Sequence, residues 1–103
     1  MIVFAYITTG SEAEAKGISQ VLVREKLAAC TNYFPIRSVY KWQGEIQNDE
    51  EYAIIAKTVS TRFKQLKKKV LEIHSYGVPC VMALPTVNGN IDFIEWIEKE
   101  TKK

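Results

Sequence analysis

The chain has 103 residues, 47% of them hydrophobic and 25% charged, with a formal net charge of +2. This is ordinary globular composition in the length of one domain, 1–103, and it excludes a disordered segment, a disulfide-rich scaffold and a collagen-like fibre. The charge is too small to point to nucleic acid, and no apolar run approaches the ~20 residues that span a bilayer. Residues 2–8 (IVFAYIT) form a nearly all-apolar run rich in β-formers, which predicts a strand covered on both faces and central in its sheet. Thr9-Gly10 break it. Ser11, with Glu14 three residues on, makes a capping box that opens a helix. Ala15, Ile18, Val21 and Leu22 supply its buried stripe.

Residues 29–42 (ACTNYFPIRSVYKW) predict one long strand. Pro35 lacks an amide donor, so that strand belongs at an edge or carries a bulge. Gln43-Gly44 is a tight turn, and residues 45–58 (EIQNDEEYAIIAKT) return as a second strand, frayed around Asn48-Asp49. A second helix is predicted from Ser60 to Ile73, with Phe63, Leu66, Val70 and Ile73 on one stripe and Lys64, Lys67, Lys68 and Lys69 opposite. Residues 78–84 (VPCVMAL) are a fourth strand. Asn88-Gly89 turn, Asn90 caps, and a last helix runs from Ile91 to about Glu100 with Phe93, Ile94, Trp96 and Ile97 on its apolar side. The order β-α-β-β-α-β plus a C-terminal helix predicts an α+β, ferredoxin-like split β-α-β sandwich. Its sheet is antiparallel in the order 4-1-3-2, with the main helices on one face. The other face is then bare and the edges open, and both point to an oligomer.

At this stage LVREKLAAC (22–30), SVYKWQGEI (38–46), EEYAIIAKT (50–58), HSYGVP (74–79) and ALP followed by NGNIDFIEWI (83–97) stand in an order and spacing that resemble the CutA family of divalent-cation tolerance proteins over essentially the whole chain. The resemblance implies a tight homotrimer and a role in tolerance of divalent cations, copper in particular, with no settled enzymatic reaction; the chain is expected not to be an enzyme. Four departures bear on metal. Ser75, Gly77 and Cys80 stand where the family pattern has proline and two glutamates, so two carboxylate ligands are missing and one thiol is gained. Ile7 stands where some bacterial members carry a cysteine proposed as a copper ligand. Of the positions proposed for copper, only His74 carries over.

The candidate metal ligands are His74, the only histidine, and the thiols of Cys30 and Cys80. Imidazole and thiolate suit copper, but one histidine cannot hold a metal alone, and a site needs three or four ligands. The competing expectation is structural: a histidine at a helix C-terminus, and two cysteines packed as small hydrophobes on strands at opposite edges, too far apart for a disulfide. Trp42, Lys57, His74 and Tyr76 are expected to line a cleft between subunits, with Cys30 nearby and Lys57 offering a cation to an anion. Glu50 and Glu51 are either solvated hairpin charges or partners for Lys57.

Two functions compete. One is a non-enzymatic trimer in metal-ion response, with copper or another divalent cation bound directly and no obligatory cofactor. The other is a small-molecule-binding regulatory module of the PII or ACT kind, with its ligand at a subunit interface. The long or glycine-rich loop of a nucleotide-binding PII protein is missing. RNA binding through an RRM is excluded because EYAIIAKT lacks the aromatic and glycine signature of its third strand. An acylphosphatase-like enzyme is excluded because ITTGSEAEA has no arginine. No serine triad, Walker or HExxH signature points to another enzyme. MIVFAY carries no basic leader, and the cysteine usage fits a reduced, cytoplasmic protein with no membrane partner.

Overall fold

The structure is a computed structural model of residues 1–103. Its elements run β1 (Ile2–Thr9), α1 (Glu12–Arg24), β2 (Cys30–Trp42), β3 (Glu45–Val59), a 3-10 turn (Ser60–Arg62), α2 (Phe63–Ile73), β4 (Val81–Pro85) and α3 (Ile91–Glu100). The four strands form one antiparallel sheet in the order β2-β3-β1-β4. This is the α+β, ferredoxin-like arrangement expected, with the apolar β1 central.

Strand parity divides the sheet. Ala5, Ile7, Ile54 and Ala56 face one way and pack with Ala15, Ile18 and Leu22 of α1 and with Leu66 and Val70 of α2. Phe4, Tyr6, Ile55 and Lys57 face the other way. There α3 closes one end: Ile97 packs with Ile2 and Ala29, and Ile94, Phe4 and Val59 lie against them. Phe34, Met82 and Leu84 on the same face remain 36%, 61% and 47% exposed.

The Ser11 half of the capping box forms as predicted, while the Glu14 carboxylate reaches one residue past the N-cap. Glu14 N–H donates to Ser11 Oγ at 3.1 Å, and Glu14 Oε1 accepts from Gly10 N–H at 3.1 Å. Pro35 lies on the edge strand β2, opposite Tyr52, where a missing donor costs no ladder bond to a further strand. The hairpin turn has φ of +49° at Gln43 and +83° at Gly44, the positive pair that matches the twist of two-residue hairpins.

Several expectations are corrected. The hairpin is not frayed at Asn48-Asp49: Val39 pairs Asn48, Ser38 pairs Asp49, and Tyr40 Oη donates to Asp49 Oδ2. The last strand is Val81–Pro85 rather than 78–84, since Pro79 has no N–H for the ladder. The second helix begins at Phe63, after a 3-10 turn, and its stripe is narrower than drawn, with Leu66 and Val70 buried but Ile73 41% exposed. Asn90 makes no side-chain cap. Asn88 Oδ1 accepts from Gly89 N–H without a regular turn.

Candidate functional site

β1 reaches only as far as Tyr52 on β3, so the β2–β3 hairpin outruns the rest of the sheet. The segment between α2 and β4 crosses the end of β1 and meets that overhang. A cavity of about 600 Å³ lies at the junction, lined by Thr8, Ser38, Val39, Tyr40, Trp42, Glu51, Tyr76, Gly77, Val78 and Cys80. Its floor follows from strand parity: Ser38, Tyr40 and Trp42 on β2 share a face with Glu51 on β3 and Thr8 on β1.

His74 anchors the crossing segment. Its side chain is fully buried, Nε2 lies 2.7 Å from the Thr8 carbonyl, and Nδ1 accepts from Tyr76 N–H at 3.0 Å. An Nδ1 that accepts leaves the proton on Nε2, which donates to Thr8. Glu14 holds the same segment from the other side. Its Oε2 accepts from Ser75 N–H at 2.8 Å and stands 3.7 Å from His74 Nδ1. Burial works against the Glu14 carboxylate, but the hydrogen bonds from Gly10 and Ser75 outweigh it and set its pKa below the ordinary value.

Tyr76, 4.8 Å from His74 between ring centroids, points its hydroxyl at Glu51 Oε2, 2.7 Å away. Burial and that hydrogen bond push the Tyr76 phenol well above its usual value. Burial, reinforced by the Glu51 charge, also raises the Cys80 thiol. Gly10 fits under Tyr76 because it has no side chain: a Cβ there would stand 3.2 Å from Tyr76 Oη and 3.3 Å from Cε1.

The residues singled out from the sequence divide among three places. Trp42, Tyr76 and Cys80 line the one cavity. His74 lies beneath it with both ring nitrogens engaged. Lys57 is elsewhere: it pairs with Phe4 on the sheet, four residues from Thr8 or about 13 Å along β1, and its Nζ sits 5.8 Å from the Phe4 ring and 5.5 Å from the Phe93 ring. Cys30 is opposite Lys57, away from the cavity. Cys30 and Cys80 belong to opposite edges of the sheet, and no three His, Cys, Asp or Glu side chains of one chain converge as a metal cluster. Within one chain, then, the trio His74, Cys30 and Cys80 is not a ligand set. What the sequence reading missed is the burial of Glu51, only 8% exposed, and the bridging role of Glu14. Parity along β3 was the available signal for Glu51, which shares its face with the apolar Ala53 and Ile55.

No helix is long and apolar enough to cross a membrane. Residues 3–100 match the model of the CutA1 divalent ion tolerance protein family. The divalent-cation tolerance protein CutA of Archaeoglobus fulgidus is 43% identical over 96 residues, which span 93% of this chain and 94% of that one. Its counterpart from Thermus thermophilus is 42% identical over 96 residues, 92% of this chain and 93% of its own. The solved structure of the periplasmic CutA of Archaeoglobus fulgidus superposes with a TM-score of 0.97 at 41% identity, covering 99% of this chain and all of that one. CutA1 from Oryza sativa superposes at 0.96 with 37% identity, covering 99% of this chain and 94% of that one. The chain therefore belongs to the CutA1 divalent ion tolerance family.

Proposed function

We propose that the protein works in divalent-cation tolerance as a non-enzymatic homotrimer. Family membership supports the role, and the observation that carries the assembly is the half-covered sheet face. Phe34, Met82 and Leu84 leave an apolar surface of the kind that marks an interface. A reducing, cytoplasmic setting completes the proposal, supported by two thiols held at opposite edges of the sheet. Relatives differ here, since the Arabidopsis thaliana protein is named chloroplastic and that of Archaeoglobus fulgidus periplasmic. The test is deletion of the gene in its host, with growth scored in raised copper and zinc. Reduced tolerance, restored by the wild-type gene, is the expected result; unchanged growth in both metals overturns the role.

Direct copper binding is the narrower form of this proposal. Cys80 and Glu51 line one cavity, and the further donors that copper needs would come from a second subunit. Titration of the reduced protein with Cu(I) and then Zn(II), under nitrogen, should give saturation at no more than one ion per protomer, lost in Cys80→Ser. Binding that survives in Cys80→Ser removes this site.

The cavity also favours a second function, a regulatory module that takes a small molecule. Its volume of about 600 Å³ and its mixture of aromatic rings with a single carboxylate are typical of ligand pockets.

A further inference from the structure

Glu51 is the unusual group in this cavity. It is 92% removed from solvent, being 8% exposed, and Tyr76 Oη on Oε2 is its one hydrogen-bond donor. Oε1 is not among the sealed, unpartnered oxygens and so stays open to the cavity, and within one chain no lysine, arginine or histidine forms an ion pair with the carboxylate. On the same face of β3 stands a second acid, Asp49, itself bonded by Tyr40, while Arg37 on β2 pairs with Glu50. A buried carboxylate without a cation is costly, because desolvation is not offset by attraction. Around it stand the rings of Tyr40, Trp42 and Tyr76, whose faces are negative. The remaining lining offers a thiol, two hydroxyls, two valines and a glycine. Such walls ligate a hard metal ion poorly, since Mg²⁺ and Ca²⁺ need six or more oxygen donors. They suit a weakly hydrated organic cation, which rings attract through their faces and a carboxylate through its charge.

We propose that the cavity between the β2–β3 overhang and residues 76–80 binds an organic ammonium ion, its charged head against Glu51 and its alkyl groups against Tyr40, Trp42 and Tyr76. This deepens the small-molecule function and rests on it. Gly10 and His74 act as positioning residues: Gly10 leaves room for the Tyr76 ring, and His74 fixes the backbone N–H of Tyr76.

The probe is choline, titrated by calorimetry and by Trp fluorescence against the full chain, beside 3,3-dimethylbutanol, its uncharged isostere, and propionate as an anion. Choline should saturate, bind at least tenfold more tightly than the isostere, and slow alkylation of Cys80 by iodoacetamide. Glu51→Gln and Trp42→Leu should each weaken it about tenfold or more. Glu51→Gln should remain folded, since it only neutralises a charge, and far-UV circular dichroism checks this. Equal affinity for choline and its isostere, or no change in Glu51→Gln, overturns the proposal. Saturation by the isostere or propionate without choline also overturns it while leaving the small-molecule function standing; failure of all three probes overturns the organic-cation proposal alone. Choline binding that weakens as protein concentration rises puts a lysine or arginine of a second copy in the cavity, and this too overturns the proposal of a free ligand.

Discussion

Replacing His74 by leucine would keep most of the packing volume and strip two hydrogen bonds. The Thr8 carbonyl and the Tyr76 amide would then be unpaired beneath the cavity. Each such group costs about 1–3 kcal/mol, so His74→Leu should lower stability by about 2–4 kcal/mol in urea unfolding with no metal added. A loss of that size in metal-free protein marks a structural group; an unchanged midpoint contradicts the assignment. Glu14 yields a pH dependence with a definite sign. Its folded pKa lies below its unfolded value of about 4.3, so its stabilising contribution is complete above that pH and is lost as pH falls through the folded pKa. Glu14→Gln should therefore be less stable than wild type at pH 7, by about 1 kcal/mol, and the gap should narrow as pH falls below the unfolded value of about 4.3. A gap that widens on acidification would reverse the sign. At this scale the sequence was only partly legible. The capping box gave Glu14 its local role, because Ser11 and Glu14 are three apart. Its bond to Ser75 spans sixty-one positions, and no local pattern encodes such a meeting. The same limit applies to His74: the one histidine stood out as a ligand candidate, while the carbonyl that occupies its Nε2 comes from a strand at the other end of the chain.

Elements were the most legible level, for a physical reason. β1 is apolar on both faces, α1 carries its own cap, and the hairpin carries its own turn, so each signal is local and agrees with the final topology. Boundaries moved where a competing local rule won, as at Pro79, which delays β4, and at Ser60–Arg62, where the chain tightens before α2. Two connections make opposite predictions. α1 ends in a Schellman motif: Leu27 N–H reaches Leu22 O at 2.9 Å and Lys26 N–H reaches Val23 O at 3.1 Å. The left-handed position, φ +59°, is filled by Lys26 instead of glycine. Lys26→Gly should relieve a strain of about 1 kcal/mol and raise the urea midpoint. At the hairpin, Gly44 has φ +83° with open space around its Cα, so only backbone conformation is at stake. Gly44→Ala should cost about 1 kcal/mol and lower the midpoint. Shifts of the same sign in both variants would contradict this account of the turns.

The whole molecule is elongated, 45 × 26 × 20 Å, because the hairpin extends past the body. One sheet face is sealed by α1 and α2, whereas the other is closed only at one end by α3. That asymmetry was legible in outline, since two helices on one side leave the other side bare. The partial cover was not, because the tertiary position of a C-terminal helix is not written in its own periodicity. The trimer proposed above should have a mass near three times 11.8 kDa by light scattering. Met82 and Leu84 are the residues to alter. They lie on the open face of the short edge strand β4, 61% and 47% exposed, and neither belongs to the inner core. A double change to Met82→Glu and Leu84→Glu adds two carboxylates to each protomer without touching the packing under α1 and α2. In a monomer those charges stay in water and cost little. In an assembly built on this face they must be desolvated, at several kcal/mol each, and the cost recurs in every subunit. The variant should therefore keep its far-UV spectrum while its mass falls to that of one protomer. A wild-type monomer would remove the argument from the open face altogether. A variant that keeps the trimer mass would show that the copies meet through some other surface.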